Sequence, residues 1–377
     1  MEWSLTAWVN STEETQKTHS FCTVNNYGRK SKEPGPKSPG SFYFLIVFVA
    51  NFLTTLLPDM KRFILQRLGL SVITVFLVSI IVFFLTHILP GDVAHQYLGR
   101  GATEDDLKEF RRVFELDRPV ISQFFTWINH LLHGDMGQSM QYRGRVSDLL
   151  LPAIGYSSKL AGVAFFIIVP LSIAGGVAAA MNRGKRVDRF ITVGGLSAAV
   201  IPEFVWAIIL VLIFGVTFQV FPVSAFPEEG SRSLLNQIWY LVLPSISLLL
   251  VLFGYVARIT RAGVIEALDS DYMRTAVLKG LSRRTAVVKH VLRNALLPTI
   301  AVIASQIPYL IGGLIAVEIV FNYPGFGTIL KGAVDARDYS VLQAGVIISS
   351  LVIVSFQLVA DILFALLNPR IRQKISE

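Results

Sequence analysis

The sequence predicts an all-α membrane protein with six transmembrane helices and an external cap, and composition and hydropathy patterning carry that prediction. Of the 377 residues, 53% are hydrophobic and 16% are charged, whereas soluble domains have about a quarter of their residues charged. Six apolar runs are long enough to cross a hydrocarbon layer of about 30 Å at 1.5 Å per helical residue. They occupy residues 68–89, 160–181, 190–214, 238–257, 298–320 and 342–363.

The distribution of Lys and Arg orients these runs, because cationic side chains collect beside cytoplasmic helix ends. One side of the membrane holds eighteen of them in its short loops, namely Lys61, Arg62, Arg67, Arg183, Lys185, Arg186, Arg189, Arg258, Arg261, Arg274, Lys279, Arg283, Arg284, Lys289, Arg293, Arg370, Arg372 and Lys374. The opposite short loops hold three, Arg232, Lys331 and Arg337. Both ends of the core are therefore predicted to be cytoplasmic, and nucleic acid is not needed to explain the net charge of +8.

Residues 90–158 are predicted to form the external cap, because they are too polar for the bilayer and too long for a simple turn. Thr103 is placed to cap a helix whose first turn carries three acids. One face of that helix is apolar, made of Leu107, Phe110, Val113 and Phe114. A small cap is favoured over a catalytic domain.

The N-terminal 59 residues are predicted to be separate from the core. Residues 1–40 are rich in Ser, Thr, Asn, Gly, Pro and charge, which predicts disorder. Residues 42–57 are apolar but extend only about 24 Å as a helix, so they are interfacial or form a marginal seventh span. Met60 opens the basic flank of the first span, so we expect it to be the biological start. The core then comprises a first transmembrane helix (60–89), the cap, five further helices (159–367) and a tail (368–377).

The inner stretch 258–297 is the most informative soluble segment, since it is long, basic and helical in pattern. Asp269, Ser270 or Asp271 can cap a first helix, and Gly280 supplies the left-handed residue that ends it. Ser282 can then cap a second helix that runs towards Pro298 at the start of the fifth span. The pattern predicts a short helix presented at the membrane surface on a bend.

Several sequence patterns of other protein classes are missing. The lone Cys22 excludes an internal disulfide and a cysteine-ligated metal site, and redox chemistry is not supported. The sequence has no G-x-x-x-x-G-K-[ST] loop for nucleotide phosphates and no G-x-S-x-G or H-E-x-x-H pattern. The six His are scattered, and His130 and His133 are not expected to ligate a metal. No catalytic or metal site is predicted, so energy must come from a partner. The pairs Gly175–Gly176 and Gly312–Gly313 mark close helix contacts or kinks.

Seven stretches, in order and between the hydrophobic runs, resemble one family. They are MKRFILQRLG, ELDRPV, WINHLLHGDMGQS, DYMRTAVLKGLS, HVLRNALLP, EIVFNYPGFG and DILFALLNPR. The chain from Met60 to Arg370 resembles the permease subunits of bacterial ATP-binding-cassette (ABC) importers for dipeptides, oligopeptides and nickel. This resemblance implies a type I importer fold in the bacterial inner membrane. It also implies a second permease, two ATPase subunits that bind ATP and Mg, and an external solute-binding protein as partners, with no cofactor in this chain itself.

The resemblance also implies that the inner-loop helix docks into a groove on the ATPase, with Met273, Ala276 and Val277 facing that partner. The implied coupling residues are Glu266, Ala267, Asp271, Tyr272, Met273, Arg274, Ala276 and Gly280. The chain departs from the family in its N-terminal extension and in Glu203, which lies midway through the third run. A carboxyl at that depth either faces the substrate path or is held inside the bundle.

Two rival interpretations remain at this point. An ion-coupled secondary transporter would use Glu203, Glu318 and Asp361, although Asp361 lies near the inner end, where Arg370 and Arg372 are available as partners. An intramembrane enzyme is disfavoured because the three acids lie in different runs without a nucleophile and base. The substrate stays open among dipeptide, oligopeptide, nickel chelate, opine and glutathione.

Overall fold

The computed structural model describes residues 40–88, 101–113, 118–139, 141–227 and 233–367, and within them every extended regular element is helical. The chain divides into two units, Met1–Leu56 and Leu57–Glu377, and the second holds everything discussed below. The predicted disorder of residues 1–40 and the tail with Arg370 and Arg372 lie outside the described residues, apart from Gly40. Residues 42–57 are helical, and the candidate membrane span reported for this part of the chain is Arg62–Ile88.

Thirteen helices are described, three of them followed by π-helical turns. They are α1 (Gly40–Ile88), α2 (Glu104–Val113), α3 (Val120–Leu132), α4 (Val146–Met181), α5 (Arg186–Arg189), α6 (Gly195–Val200), α7 (Glu203–Leu210), α8 (Leu234–Leu268), α9 (Asp271–Leu278), α10 (Arg283–Ala286), α11 (Leu292–Val320), α12 (Phe326–Ala336) and α13 (Tyr339–Leu367). The π-helical segments are Phe190–Gly194, Val211–Thr217 and Val287–Val291.

All six predicted apolar runs fall on helices, but the third is not one straight span. Four described helices are long and apolar enough to cross a membrane, and a fifth is counted if the bent pair Arg186–Val200 and Glu203–Thr217 forms one span. That pair bends by 101°. Pro202 explains the break, because proline lacks an amide hydrogen and forces the preceding residue, here extended Ile201, out of the helical region. The run 298–320 lies in the 29-residue α11.

Helix α1 begins well before its predicted run, and helices α4 and α8 also extend well beyond theirs, where packing explains the extension. Helix α4 begins at Val146 rather than at residue 160, because Val146 and Leu150 are buried against Ala333 and Val341 on the outer side. Helix α8 continues past residue 257 to Leu268. Apolar burial at the ends of the runs therefore lengthens helices that composition alone would end at the bilayer surface.

Helices α4 and α8 pack closely at small residues. A Cβ on Gly176 would lie 2.6 Å from the Ala257 carbonyl oxygen, and a Cβ on Gly175 would lie 2.7 Å from the Phe253 ring. The prediction that Gly175–Gly176 marks a helix contact is confirmed, because α4 continues through both residues. The surroundings of Gly312 and Gly313 lie outside the described part of the chain.

The outer loops are held to the helical bundle by one buried carboxylate, Asp338, which precedes α13. It accepts hydrogen bonds from Ser139 Oγ at 2.5 Å, from the Gln141 amide at 3.1 Å and from the Val341 amide at 3.3 Å. In the cap itself, Thr103 and Asp106 form the reciprocal capping pair at the start of α2. The hydrogen bonds from Thr103 lower the pKa of Asp106. The predicted cap helix is confirmed as far as Val113, and Phe114 lies outside the described residues.

Candidate functional site

The predicted inner helix is formed by α9, and its ends follow the sequence signals. Gly280 adopts φ +83°, and the Leu281 amide donates a hydrogen bond to the Ala276 carbonyl at 3.2 Å. This left-handed closure ends the helix as glycine is expected to do. Ser282 accepts the Thr285 amide at 3.2 Å and so caps α10, as predicted. Glu266 and Ala267, by contrast, lie in the last turn of α8 rather than in the loop.

The apolar stripe of α9 packs inward on its own chain, which leaves little of Met273 and Ala276 accessible to the ATPase that they are predicted to face. These side chains are 6% and 9% exposed and belong to a buried cluster with Val287 and Val291. The second helix of the loop folds back and covers the stripe. Sequence periodicity identified the apolar face but not the partner, because a stripe that packs on its own chain looks the same as one that awaits another protein. The side chain of Val277 lies outside the described residues.

The outward face of α9 carries Tyr272, Leu278 and two cations, Arg274 and Lys279. Tyr272 is 40% exposed and Leu278 is 81% exposed. Leu278 lies on the opposite side of the helix from Met273, since five residues turn a helix by about 500°. Asp271 and Thr275 are also exposed on this surface. The arrangement presents one large apolar side chain within a charged rim, which suits docking into a groove on a partner.

A cavity of about 430 Å³ opens beside Tyr272, between the inner ends of α8, α11 and α13. Three of the predicted coupling residues, Glu266, Ala267 and Tyr272, line it together with Ala295 and Phe364. The structure therefore gathers these three around one opening. Arg274 and Gly280 do not line it.

The segment after α4 contacts the inner end of α8 through two ion pairs that the sequence analysis missed, of which one is buried and one is exposed. Arg261 donates two hydrogen bonds to the Asp188 carboxylate, from Nε at 2.5 Å and from a second guanidinium nitrogen at 2.8 Å. The Asp188 side chain is 7% exposed. Arg183 lies 3.1 Å from Asp269 at the end of α8, with both side chains exposed. The only sign of these pairs in the sequence is that one acid, Asp188, lies among the cations that predict the orientation of the chain in the membrane.

Glu203 lies at the break in the third span, where it is the first residue of α7. Its side chain is half-buried. A carboxylate at this position is favoured by the amide dipoles of the helix start. Across the break, Trp206 Nε1 donates a hydrogen bond to the Ala198 carbonyl at 2.9 Å and fixes the bend. Pro202, which the sequence analysis did not weigh, explains why an acid can be placed here.

The other two acids of the rival transporter model have structural partners. Glu318 is 1% exposed; it accepts a hydrogen bond from Ser157 Oγ and another from the Gly327 amide at 2.8 Å. It thereby anchors the NYPGFG loop to α4. Asp361 lies 3.3 Å from Arg67 on α1, whereas the suggested partners Arg370 and Arg372 lie outside the described residues.

The two outer histidines do not converge on one site, although His130 has an acid beside it. His130 Nδ1 lies 3.3 Å from Asp135 Oδ2, whereas His133 Nδ1 lies 2.7 Å from the Asn129 carbonyl oxygen. The pKa of Asp135 is lowered, chiefly by the hydrogen bond from the Gly137 amide. Among the described residues no group of three His, Cys, Asp or Glu is placed to hold a metal.

Comparison with known proteins identifies the family. The model for binding-protein-dependent transport system inner membrane components matches residues 172–373, and the model for the N-terminal part of such membrane components matches residues 60–169. The chain belongs to this family. The permease therefore has the type I importer fold, is a multi-pass inner membrane protein, and is a subunit of a binding-protein-dependent ABC importer with ATPase and solute-binding partners.

Individual relatives match the permease over the same region. The glutathione transport system permease protein GsiC of Escherichia coli (strain K12) is 35% identical over 316 residues, which are 84% of this chain and 100% of the relative. The protein of the same name from Salmonella paratyphi A is 36% identical over the same shares.

Proposed function

We propose that this permease carries glutathione or a short peptide of similar size across the inner membrane. The observation that carries the proposal is the 35% identity to glutathione transport permeases along their whole length. Among the candidate substrates, glutathione is itself a tripeptide, so the proposal agrees with the peptide side of the family resemblance and disfavours nickel chelates and opines.

The coupling site is proposed to be the outward face of α9. Tyr272 and Leu278 would enter a groove of an ATPase subunit, with Arg274 and Lys279 at its rim. Met273 and Ala276 act as positioning residues, because their burial against Val287 and Val291 fixes the helix. Glu266, Ala267 and Asp271 would hold the N-terminal end of α9 in place, and Gly280 would set the turn after its C-terminal end.

Closure of the ATPases on ATP would move α9 and with it α8, which converts nucleotide binding into alternate opening of the path. This chain is proposed to be non-catalytic and to need no cofactor, with ATP and Mg bound by two ATPase subunits. A second permease of similar fold would complete the path. Both ends of the core would lie in the cytoplasm, because the short loops of that side hold eighteen Lys and Arg and those of the other side hold three. Glu203, half-buried at the broken span, is proposed to face that path.

Uptake into proteoliposomes tests the proposal. The permease, its second permease, the ATPases and the binding protein are reconstituted, and uptake of radiolabelled glutathione is compared with uptake of a dipeptide and of a nickel chelate. We expect glutathione uptake that requires both ATP and the binding protein. Saturable uptake of the nickel chelate alone would contradict the proposed substrate. Uptake driven by a proton or sodium gradient without ATP would contradict the coupling mechanism.

A further inference from the structure

The bidentate pair between Asp188 and Arg261 joins two segments that the proposed mechanism must move together. Asp188 belongs to α5, on the route to the broken span, and Arg261 belongs to α8, which leads to α9. Two parallel N–H···O contacts fix both the distance and the orientation of a guanidinium and a carboxylate. The pair therefore fixes the two segments relative to each other. The pair of Arg183 and Asp269 is exposed, and exposed ion pairs contribute little to stability.

The carboxylate of Asp188 is itself fixed to the backbone of its own segment. It accepts the Gly184 amide at 2.8 Å and the Thr192 hydroxyl at 3.3 Å. Any displacement of the Arg261 side chain is thus passed to the turn after α4 and to the π-helical segment that precedes α6. A flexible acid on a free loop would not transmit such a displacement.

The two segments make a second contact, seven residues from the first on each segment. A Cβ on Gly254 would lie 2.2 Å from the Gly195 carbonyl oxygen, so the backbones of α8 and α6 are in direct contact there. Gly195 follows Asp188 by seven residues, and Gly254 precedes Arg261 by seven, which is about two helical turns or 10 Å. The two segments run antiparallel and are in contact at both points. The contact at Gly254 is close packing of two backbones, whereas the Asp188–Arg261 pair adds a directed contact between charged groups.

We propose that the Asp188–Arg261 pair is the positioning contact that makes the segment Arg186–Val200 follow α8 when α9 moves, so that ATPase closure changes the bend at Pro202. The inference rests on the proposed coupling through α9. Arg261 lies seven residues, about 10 Å, before the end of α8 at Leu268, and Val200 is the last residue before the break. Without the pair, only packing contacts such as the one at Gly254 would link the two segments, and the broken span would lag behind α8.

The test uses the complete transporter and measures substrate uptake per ATP hydrolysed. For D188N and for R261Q we expect that ratio to fall about fivefold or more, with ATPase co-purification unchanged. The double variant should be no worse than the more severe single variant, because the two side chains act as one unit. R183Q, which removes the exposed neighbouring pair, is the matched control and should retain the wild-type ratio.

R261Q decides the outcome if D188N fails to assemble, because it leaves the bonds of Asp188 to Gly184 and Thr192 in place. A wild-type ratio in assembled R261Q would overturn the proposal, as would additive losses in the double variant. Failure of both single variants to assemble would make the pair a folding element and would overturn it too. If the wild-type protein shows no ATP-dependent uptake, the proposed coupling fails instead, which separates the two ideas.

Discussion

At the residue scale, Gly280 shows how one backbone conformation shapes the coupling site. Its φ of +83° is costly for a residue with a β-branched side chain, about 1–2 kcal/mol. A Cβ there would meet nothing within 4 Å, so strain and not crowding is the expected effect within this chain. We expect Gly280→Val to leave the permease inserted but to reduce ATPase co-purification or the uptake obtained per ATP.

The matched control for Gly280→Val is Gly134→Val on the outer side. Gly134 has the same φ of +83° and the same open surroundings, so the backbone penalty is equal while the position is remote from the ATPases. Ala286→Val, which the sequence pattern suggests to be mild, is unsuitable because Ala286 is 0% exposed within the buried cluster. Equal ATPase retention together with equal uptake per ATP in both glycine variants would remove α9 geometry from the mechanism.

Glu203 provides a second prediction at this scale. Because the side chain is half-buried at a helix start, Glu203→Gln should fold and assemble normally. Glu203→Leu removes the polar group and is expected to alter the apparent affinity or the rate of uptake. The measurement is initial uptake rate against substrate concentration in proteoliposomes. Unchanged values for both parameters in Glu203→Leu would show that the residue is not part of the path.

At the scale of elements, the sequence located the helices but not their partners. Apolar runs marked every long helix, and Gly280 and Ser282 marked the turns around α9 correctly. The break at Pro202 was overlooked because apolar composition continues across it. The burial of Met273 was missed for a different reason, since periodicity reveals a stripe and not what covers it. Asp338, Arg261 and Glu318 depend on contacts between residues far apart in the chain, which no local pattern contains.

The hydrogen bonds between Asp338 and the outer loop give a prediction at the scale of elements. Asp338→Ala removes the carboxylate that holds Ser139 and Gln141 to the start of α13, at a cost of about 1–2 kcal/mol for the lost cap alone. We expect faster proteolysis of the outer loops in right-side-out vesicles. Asp335→Ala, which breaks only the exposed pair with Lys331, is the control. Identical cleavage rates in the two variants would show that Asp338 does not hold the cap.

At the scale of the whole molecule, the family matches cover residues 60–169 and 172–373. We therefore expect a chain that starts at Met60 to insert, assemble with the ATPases and transport as the longer chain does. Complementation of uptake in cells, with protein levels compared on immunoblots, is the measurement. Loss of assembly in the shorter chain would show that the apolar segment 42–57 is needed for assembly.

The central claim is that the permease receives the ATPase on the outward face of α9, and cross-linking tests it most directly. In a Cys22→Ser background, Leu278→Cys and Met273→Cys are each labelled with a thiol-reactive photoactivatable cross-linker before the ATPase subunits are added, and the transporter is then assembled and irradiated. Val334→Cys, which is exposed on the outer helix α12, is the negative control. We expect Leu278→Cys to cross-link to an ATPase subunit and Met273→Cys to resist labelling. Cross-linking from Met273→Cys with none from Leu278→Cys would contradict this account of the coupling site.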